Sequence, residues 1–234
     1  ASVMDQAALH PEDERFDKRA NLLLPLVKGY CSEKAFYLLG QSLQVYGGSG
    51  YTKDYPAEQY VRDVKIDTLY EGTTGIQALD LMFRQIARDR GETLMALAAE
   101  ITETVKGGGG DDPFTAEREL LGKAMEDVQG QLGVMVGNLM GAMGDPSLVH
   151  RVGLHTNNLL ESLSEVTMGW LLIKHAEIAH GMLEDAAGAE KDFLTGKVAS
   201  ARWFAANVLP KTTPRRVVAE QEQGELMELP DEAF

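Results

Sequence analysis

Apolar residues recur along this chain with a helical period almost throughout. Between residues 15 and 46 they appear every three or four positions, which predicts a long helix. Pro25 is expected to kink this helix or to start its main part, because proline cannot donate a backbone hydrogen bond. The glycines within residues 47–50 end the helix. Shorter helices are predicted over residues 56–67 and 75–90.

The second part of the chain predicts longer helices with short breaks between them. These helices span residues 92–106, 114–143, 147–184 and 191–208. Short loops between long helices indicate antiparallel neighbours in a bundle. The third of these helices has the clearest apolar seam, formed by Leu148, Val152, Leu159, Leu163, Val166, Trp170 and Ile173. Strand signals are almost absent, so we predict an all-α fold.

Composition narrows the classes of function. The 234 residues are 44% apolar, which is enough to bury a core, and the net charge is −14. So acidic a surface repels phosphate backbones, which argues against a nucleic-acid partner. No stretch of about 18 uninterrupted apolar residues is present, so no membrane span is predicted. The single cysteine, Cys31, fits a reducing compartment and predicts a cytoplasmic protein. We expect Cys31 to pack as a small apolar residue.

Two candidate sites for metal or nucleotide do not fit their patterns. Four histidines form two pairs, His150 with His155 and His175 with His180. A spacing of five does not place two side chains on one helix face, so no metal site is predicted. The run GGSGY lacks the third glycine of a dinucleotide fingerprint, and no strand precedes it. It is therefore not a Rossmann loop.

One carboxylate stands out. Glu71 lies in YEGTTGIQ, residues 70–77, between a tyrosine and a Gly-Thr-Thr-Gly run. A solvated loop glutamate is the plain interpretation of this segment alone. Two further blocks precede it at close spacing, QVYGGSGYT at residues 44–52 and DYPAEQYVRDVKI at residues 54–66. Together the three blocks resemble the C-terminal motifs of the acyl-CoA dehydrogenase family.

The resemblance implies a domain organisation. Residues 1–91 would be the end of the family's C-terminal four-helix domain, and residues 92–219 an additional helical bundle. The residues of the three blocks are most similar to those of long bacterial members that carry such an extra domain. We assign the additional bundle to assembly of the oligomer. Residues 220–234 contain six acids and no base, which predicts a mobile or loosely docked tail.

The resemblance also implies roles for the loop residues. Glu71 would be the base that removes the α-proton of an acyl-CoA thioester, while a hydride leaves the β-carbon for FAD. Tyr70, Glu71 and Gly72 would contact the substrate. Thr73 would lie near the flavin of its own subunit.

Cofactor contacts from a second subunit are implied as well. Gln44 and Gly48 match positions that reach the ADP half of FAD in the neighbouring subunit, which implies a homodimer or a higher oligomer. Gly75 departs from the family, because many members have glutamine or glutamate there. Arg62 and Asp63 are expected to form a structural ion pair.

The implied activity is the dehydrogenation of acyl-CoA to trans-2-enoyl-CoA in fatty-acid β-oxidation, with electron-transfer flavoprotein as the electron acceptor. The family's N-terminal helical domain and middle β-domain are not seen in this sequence. We therefore expect a C-terminal fragment that is inactive by itself. Two alternatives stay open: an acyl-CoA oxidase, which uses the same glutamate, and a helical assembly module without catalysis.

Overall fold

The computed structural model describes residues 1–109, 111–225 and 229–233, and it contains no strand within those ranges. The all-α prediction is confirmed. The chain divides into two compact units, Ala1–Met95 and Ala96–Phe234, and each has its own buried core. No helix among the residues described is long and apolar enough to cross a bilayer.

Unit 1 consists of short helices joined by tight turns and two π-helical segments. Its α-helices are α1 (Ser2–Leu9), α2 (Glu14–Pro25), α3 (Ser32–Tyr46), α4 (Gly48–Tyr51), α5 (Ala57–Lys65) and α6 (Thr74–Leu79). The π segments are Leu26–Cys31 and Asp80–Ala87. The predicted helices over 15–46, 56–67 and 75–90 are all present, whereas α1 and α4 were not predicted.

The long predicted helix changes its hydrogen-bond spacing directly after Pro25, which has no N–H to donate. The next six residues, Leu26–Cys31, form a π-helix, in which bonds span five residues instead of four. This wider turn changes the direction in which later side chains point. The expectation that Cys31 is packed is therefore wrong: its side chain is exposed. A constant period of 3.6 residues cannot be carried through such a segment.

The core of unit 1 forms where α2 and α6 meet the π segments. α2 packs against Asp80–Ala87, and α6 packs against Leu26–Cys31. The side chains buried there include Leu22, Leu81 and Met82, all at 0% exposure. Because α5 packs against α3, the loop between α5 and α6 is fixed at both ends.

The expected ion pair between Arg62 and Asp63 is wrong. Arg62 Nη1 lies 2.5 Å from Glu58 Oε2, one turn earlier on α5. Consecutive helical residues diverge by about 100°, whereas residues four apart share a face, so the pair one turn away is favoured.

Unit 2 is a bundle around one long helix. The helix α7 (Glu92–Lys106) starts before the boundary and ends in this unit, and it is followed by α8 (Thr115–Gly141), α9 (Leu148–Met182), α10 (Gly188–Asn207) and α11 (Thr212–Gln221). α9 packs against both α8 and α10. Its predicted seam is buried from Val152 to Ile173, and Leu148 at its start is half-buried.

α11 was not predicted, because it docks through charge rather than through an apolar stripe. Arg215 binds Glu165, which is buried, with Nη1 2.5 Å from Oε2, and it also contacts Glu161 at 2.9 Å. Thr213 donates a hydrogen bond to the buried Asp127 on α8 at 2.6 Å. Burial raises the pKa of Asp127, but hydrogen bonds, chiefly from Lys123, outweigh it and hold this pKa below its ordinary value.

The predicted acidic tail begins in the last turn of α11. Gly224, three residues beyond this helix, is buried, and its N–H donates to the Glu222 carboxylate at 2.5 Å. Residues 226–228 and 234 of the tail lie outside the described part of the chain. The predicted mobility of the tail stays a prediction.

Candidate active site

The loop that carries Glu71 has an unusual backbone conformation. Glu71 has φ 56°, and Gly72 has φ 93°. Positive φ is uncommon for a residue with a Cβ, and it costs little for glycine. A Cβ on Gly72 would also lie 3.2 Å from Ile76 Cγ2 and 3.3 Å from Gln77 Nε2. The backbone conformation therefore favours glycine at position 72, and the space for a Cβ there is tight.

Two side chains hold the carbonyls that flank Gly72. Lys28 Nζ donates to the carbonyl of Gly72 at 2.9 Å and to that of Asp67 at 2.7 Å. Gln77 Nε2 donates to the carbonyl of Glu71 at 2.9 Å. Lys28 Nζ also lies 5.5 Å from the centre of the Tyr70 ring. The loop is therefore closed by a lysine from the first π segment and by a glutamine of α6.

The start of α6 is tied to α3. Thr74 Oγ1 donates to Glu33 Oε1 at 2.6 Å. Thr73, at the N-cap, makes no capping bond with its side chain, so its hydroxyl is not used by the helix. A Cβ on Gly75 would meet nothing within 4 Å. Position 75 therefore offers no side-chain contact to a ligand.

The functional groups of the loop face outward. Glu71 is exposed, and Tyr70 is 50% exposed. Within the described residues, neither the carboxylate nor the backbone N–H of Glu71 has a hydrogen-bond partner. The nearby carboxylate of Asp80, in contrast, is engaged by Arg84 at 3.0 Å and by Gln85 at 2.8 Å. Glu71 therefore keeps both a free acceptor and a free donor.

The glycine-rich segment lies at the other end of α3. Gln44 follows Glu33 by eleven residues on this helix, which corresponds to about 16 Å along its axis. Gln44 and Gly48 are both exposed. Their distance along α3 shows that this chain does not bring them into direct contact with the Glu71 loop. The glycine that packing requires there is Gly50, where a Cβ would lie 2.7 Å from Tyr46 Cβ.

The described residues contain no group of three or more His, Cys, Asp or Glu side chains that could hold a metal ion. Of the four histidines in the pairs considered above, His155 is buried and the other three are exposed.

Each of the two units matches a protein family. The family described as "Acyl-CoA dehydrogenase, C-terminal domain" matches residues 2–86, and "Acetyl-CoA dehydrogenase C-terminal like" matches residues 97–230. The second match covers more than half of the chain. The chain belongs to the acyl-CoA dehydrogenase family. The two matches fall one on each compact unit.

The chain is similar in sequence to several acyl-CoA dehydrogenases. It is 45% identical over 228 residues to the broad-specificity linear acyl-CoA dehydrogenase FadE5 of Mycobacterium tuberculosis, covering 97% of this chain and 37% of the relative. It is 32% identical to 3-methylmercaptopropionyl-CoA dehydrogenase of Ruegeria pomeroyi, covering 88% of this chain and 34% of the relative. It is 28% identical to a butyryl-CoA dehydrogenase of Syntrophomonas wolfei, covering 97% of this chain and 37% of the relative. The chain thus spans about a third of the length of these relatives.

A solved structure shares the fold. The crystal structure of an acyl-CoA dehydrogenase complexed with FAD from Bacillus anthracis aligns with a TM-score of 0.61 at 18% identity, covering 88% of this chain and 34% of that one. This likeness concerns the fold alone.

Sequence reasoning missed three residues of this site: Lys28, Glu33 and Gln77. Gln77 stood in the motif block without a role. Lys28 is the one charged residue in LLLPLVKGYC, residues 22–31, and this isolation in an apolar run was a signal for a specific contact. Glu33 gave no such signal.

Proposed function

We propose that this chain is part of an FAD-dependent acyl-CoA dehydrogenase, which converts an acyl-CoA thioester to trans-2-enoyl-CoA in fatty-acid β-oxidation. The observation that carries the proposal is the loop of Glu71: an uncommitted carboxylate on a strained, fixed backbone, with its own N–H free. The family membership and the similarity to dehydrogenases of acyl-CoA support the same reaction.

Glu71 acts as the general base in this proposal. Its carboxylate takes the proton from the α-carbon of the thioester. A bound acyl chain removes water from the carboxylate, and desolvation raises its basicity. The N–H of Glu71 donates to the thioester carbonyl, where negative charge develops as the proton leaves. Tyr70 and Gly72 flank this position and contact the substrate.

The residues present fit one side of a flavin site. The hydroxyl of Thr73 is not used in capping, and the neighbouring side chains of Ile76 and Leu79 are 55% and 38% exposed. A polar donor beside exposed apolar side chains suits a ring that is apolar on its face and polar at its edge. FAD, when bound, supplies the acceptor for the hydride that leaves the β-carbon. Thr73 orients the flavin, and Ile76 and Leu79 exclude water from it.

We also propose a homodimer or higher oligomer, with electron-transfer flavoprotein as the electron acceptor. Gln44 and Gly48 would contact the ADP half of FAD held by a second subunit. They lie about 16 Å along α3 from the end of that helix that contacts α6, so they are separate from the flavin contact proposed for Thr73.

The test is Glu71→Gln in the flavin-loaded enzyme that contains this chain. Glutamine keeps the shape of the side chain but cannot accept a proton at neutral pH. We expect the rate of flavin bleaching by saturated acyl-CoA, measured without oxygen, to fall at least ~10²–10⁴-fold while acyl-CoA binding persists. Asp63→Asn, which neutralises an exposed carboxylate on α5, should bleach at the normal rate. Near-normal bleaching by Glu71→Gln would remove Glu71 from its role and make Asp67 or Asp80 the next candidate.

A further inference from the structure

We infer that Lys28 is the positioning residue for Glu71: its ammonium group fixes the loop in the conformation that presents the carboxylate. This inference rests on the proposed function of Glu71. Lys28 does not touch the reacting atoms, and it acts through the loop backbone.

The contacts of Lys28 enclose the loop. Its Nζ donates to the carbonyls of Asp67 and Gly72, which precede and follow Glu71, at 2.7 and 2.9 Å. Both bonds are partly buried, and they join residues 39 and 44 positions apart in the chain. One cation thus connects the two ends of a six-residue turn. The two carbonyl oxygens cannot bond to each other directly, because both are acceptors.

The chemistry of the site calls for a flexible cation here. The carbonyls of Asp67 and Gly72 accept no backbone N–H in this turn. Asp67 lies in the short 3-10 segment Ile66–Thr68, where the N–H groups of Leu69 and Tyr70 both donate to Ile66. Partly buried carbonyls without a donor are costly. An ammonium group offers three donors on a long stem, so it can serve two carbonyls at once and still lie near the ring of Tyr70.

The strained conformation of Glu71 depends on such support. A positive φ at a residue with a Cβ persists only where the surroundings over-determine it. Gln77 fixes the carbonyl of Glu71, and Lys28 fixes the next carbonyl along the chain. Together these bonds set the orientation of the peptide planes on both sides of Gly72. If Lys28 is removed, the backbone of Glu71 is free to relax toward negative φ, and the carboxylate moves away from the substrate.

The test compares three variants of the flavin-loaded enzyme. Lys28→Met keeps the stem and removes the donors, and Lys28→Arg keeps a cation with several donors. Lys65→Met is the matched control, because Lys65 is also half-buried and lies over an aromatic ring, that of Phe36 at 4.5 Å. For each variant we would measure kcat, KM, flavin content and amide hydrogen exchange of residues 67–74.

For Lys28→Met we expect kcat to fall about 10- to 100-fold with KM within about threefold of the wild type, since misplacing a catalytic group by about 1 Å costs this much. Exchange should accelerate in residues 67–74 and stay unchanged elsewhere. Lys28→Arg should have a kcat between those of Lys28→Met and the wild type. Lys65→Met should keep the wild-type kcat. Normal kcat or unchanged loop exchange in Lys28→Met would overturn the inference. If that variant does not fold, a Lys28→Arg variant with wild-type kcat but accelerated loop exchange would overturn it as well.

The proposed function can fail separately. If Glu71→Gln bleaches flavin at the normal rate, Glu71 is not the base. The effect of Lys28→Met on loop exchange is measured independently of this outcome.

Discussion

At the scale of single residues, the site depends on one glycine. Gly72 combines a φ of 93° with neighbours that would crowd a Cβ at 3.2 and 3.3 Å. Gly75, three residues later and inside α6, has neither constraint, since a Cβ there meets nothing within 4 Å. The two glycines therefore have different physical reasons to be present.

Gly72→Ala should destabilise the chain by about 1–3 kcal/mol, because alanine is strained at this φ and its Cβ would crowd Ile76. Gly75→Ala is the matched control, and it should be neutral or stabilise by up to about 1 kcal/mol, as alanine favours helix. Urea denaturation of both variants measures the difference. Equal stabilities would contradict the backbone argument for Gly72.

A second single-residue feature is the buried imidazole of His155 on α9. The ring is 3% exposed, and neither nitrogen has a hydrogen-bond partner within the described residues. Burial lowers the pKa of His155 below its ordinary value of 6.5, and the nearby charge of Glu222 partly opposes this shift. The folded chain therefore resists protonation that the unfolded chain accepts.

The consequence is a loss of stability in mild acid. Below about pH 6.5 the unfolded state binds the proton first, so the free energy of unfolding falls as the pH falls, by up to about 1.4 kcal/mol per pH unit. His155→Leu should remove this slope between pH 7 and 5.5, and His150→Leu, which changes an exposed histidine, should keep it. Urea melts across this pH range make the comparison. If the free energy of unfolding depends on pH equally in His155→Leu and the wild type, His155 is not the cause of the pH dependence.

At the scale of elements, the two π segments shape unit 1. The first begins directly after Pro25 and carries Lys28, and the second continues α6 from Asp80. π segments are often found at functional sites, because they redirect side chains from a helix. Here the redirected side chain is Lys28, which reaches the Glu71 loop.

Pro25→Ala restores an N–H that can bond to the carbonyl of Asn21 and favours α-helical spacing by about 3 kcal/mol relative to proline. We expect the π segment to shorten, Lys28 to shift, and hydrogen exchange of residues 67–74 to accelerate. Pro56→Ala serves as the control, because Pro56 lies at the N-cap of α5 and interrupts no helix. Unchanged exchange in Pro25→Ala would show that the π segment forms without the proline.

At the scale of the whole chain, the candidate contacts to FAD are few and exposed. Thr73, Gln44 and Gly48 all lie at the surface. The chain covers 37% of the relative that is 45% identical to it. Full burial of a cofactor requires a concave site lined over most of its surface.

A preparation of these 234 residues alone should therefore retain no stoichiometric flavin and show no dehydrogenation. The measurement is the visible flavin absorbance after incubation with excess FAD and desalting. A full-length acyl-CoA dehydrogenase purified with its flavin is the positive control. A stoichiometric yellow product from the 234 residues would contradict the prediction.

The sequence by itself determined the all-α fold, the main helices and the loop that carries Glu71. These features depend on local physics: the apolar period, the breaks at glycine and proline, and a motif of consecutive residues. The helix bounds agree because each backbone bond joins residues only a few positions apart. The exposure of Cys31 and the π segments escaped prediction, because a constant period cannot register a change in hydrogen-bond spacing.

Only the tertiary structure decided how the loop is held and how α11 docks. Lys28 and Gly72 are 44 positions apart, and Thr213 and Asp127 are 86 apart. Such contacts form only after the helices have packed, and no periodicity in the sequence marks them. Polar contacts need one partner at one distance, whereas an apolar stripe repeats along a helix and can be read from its spacing. The sequence therefore singled out the candidate carboxylate, and tertiary packing determined the backbone conformation of the loop that carries it.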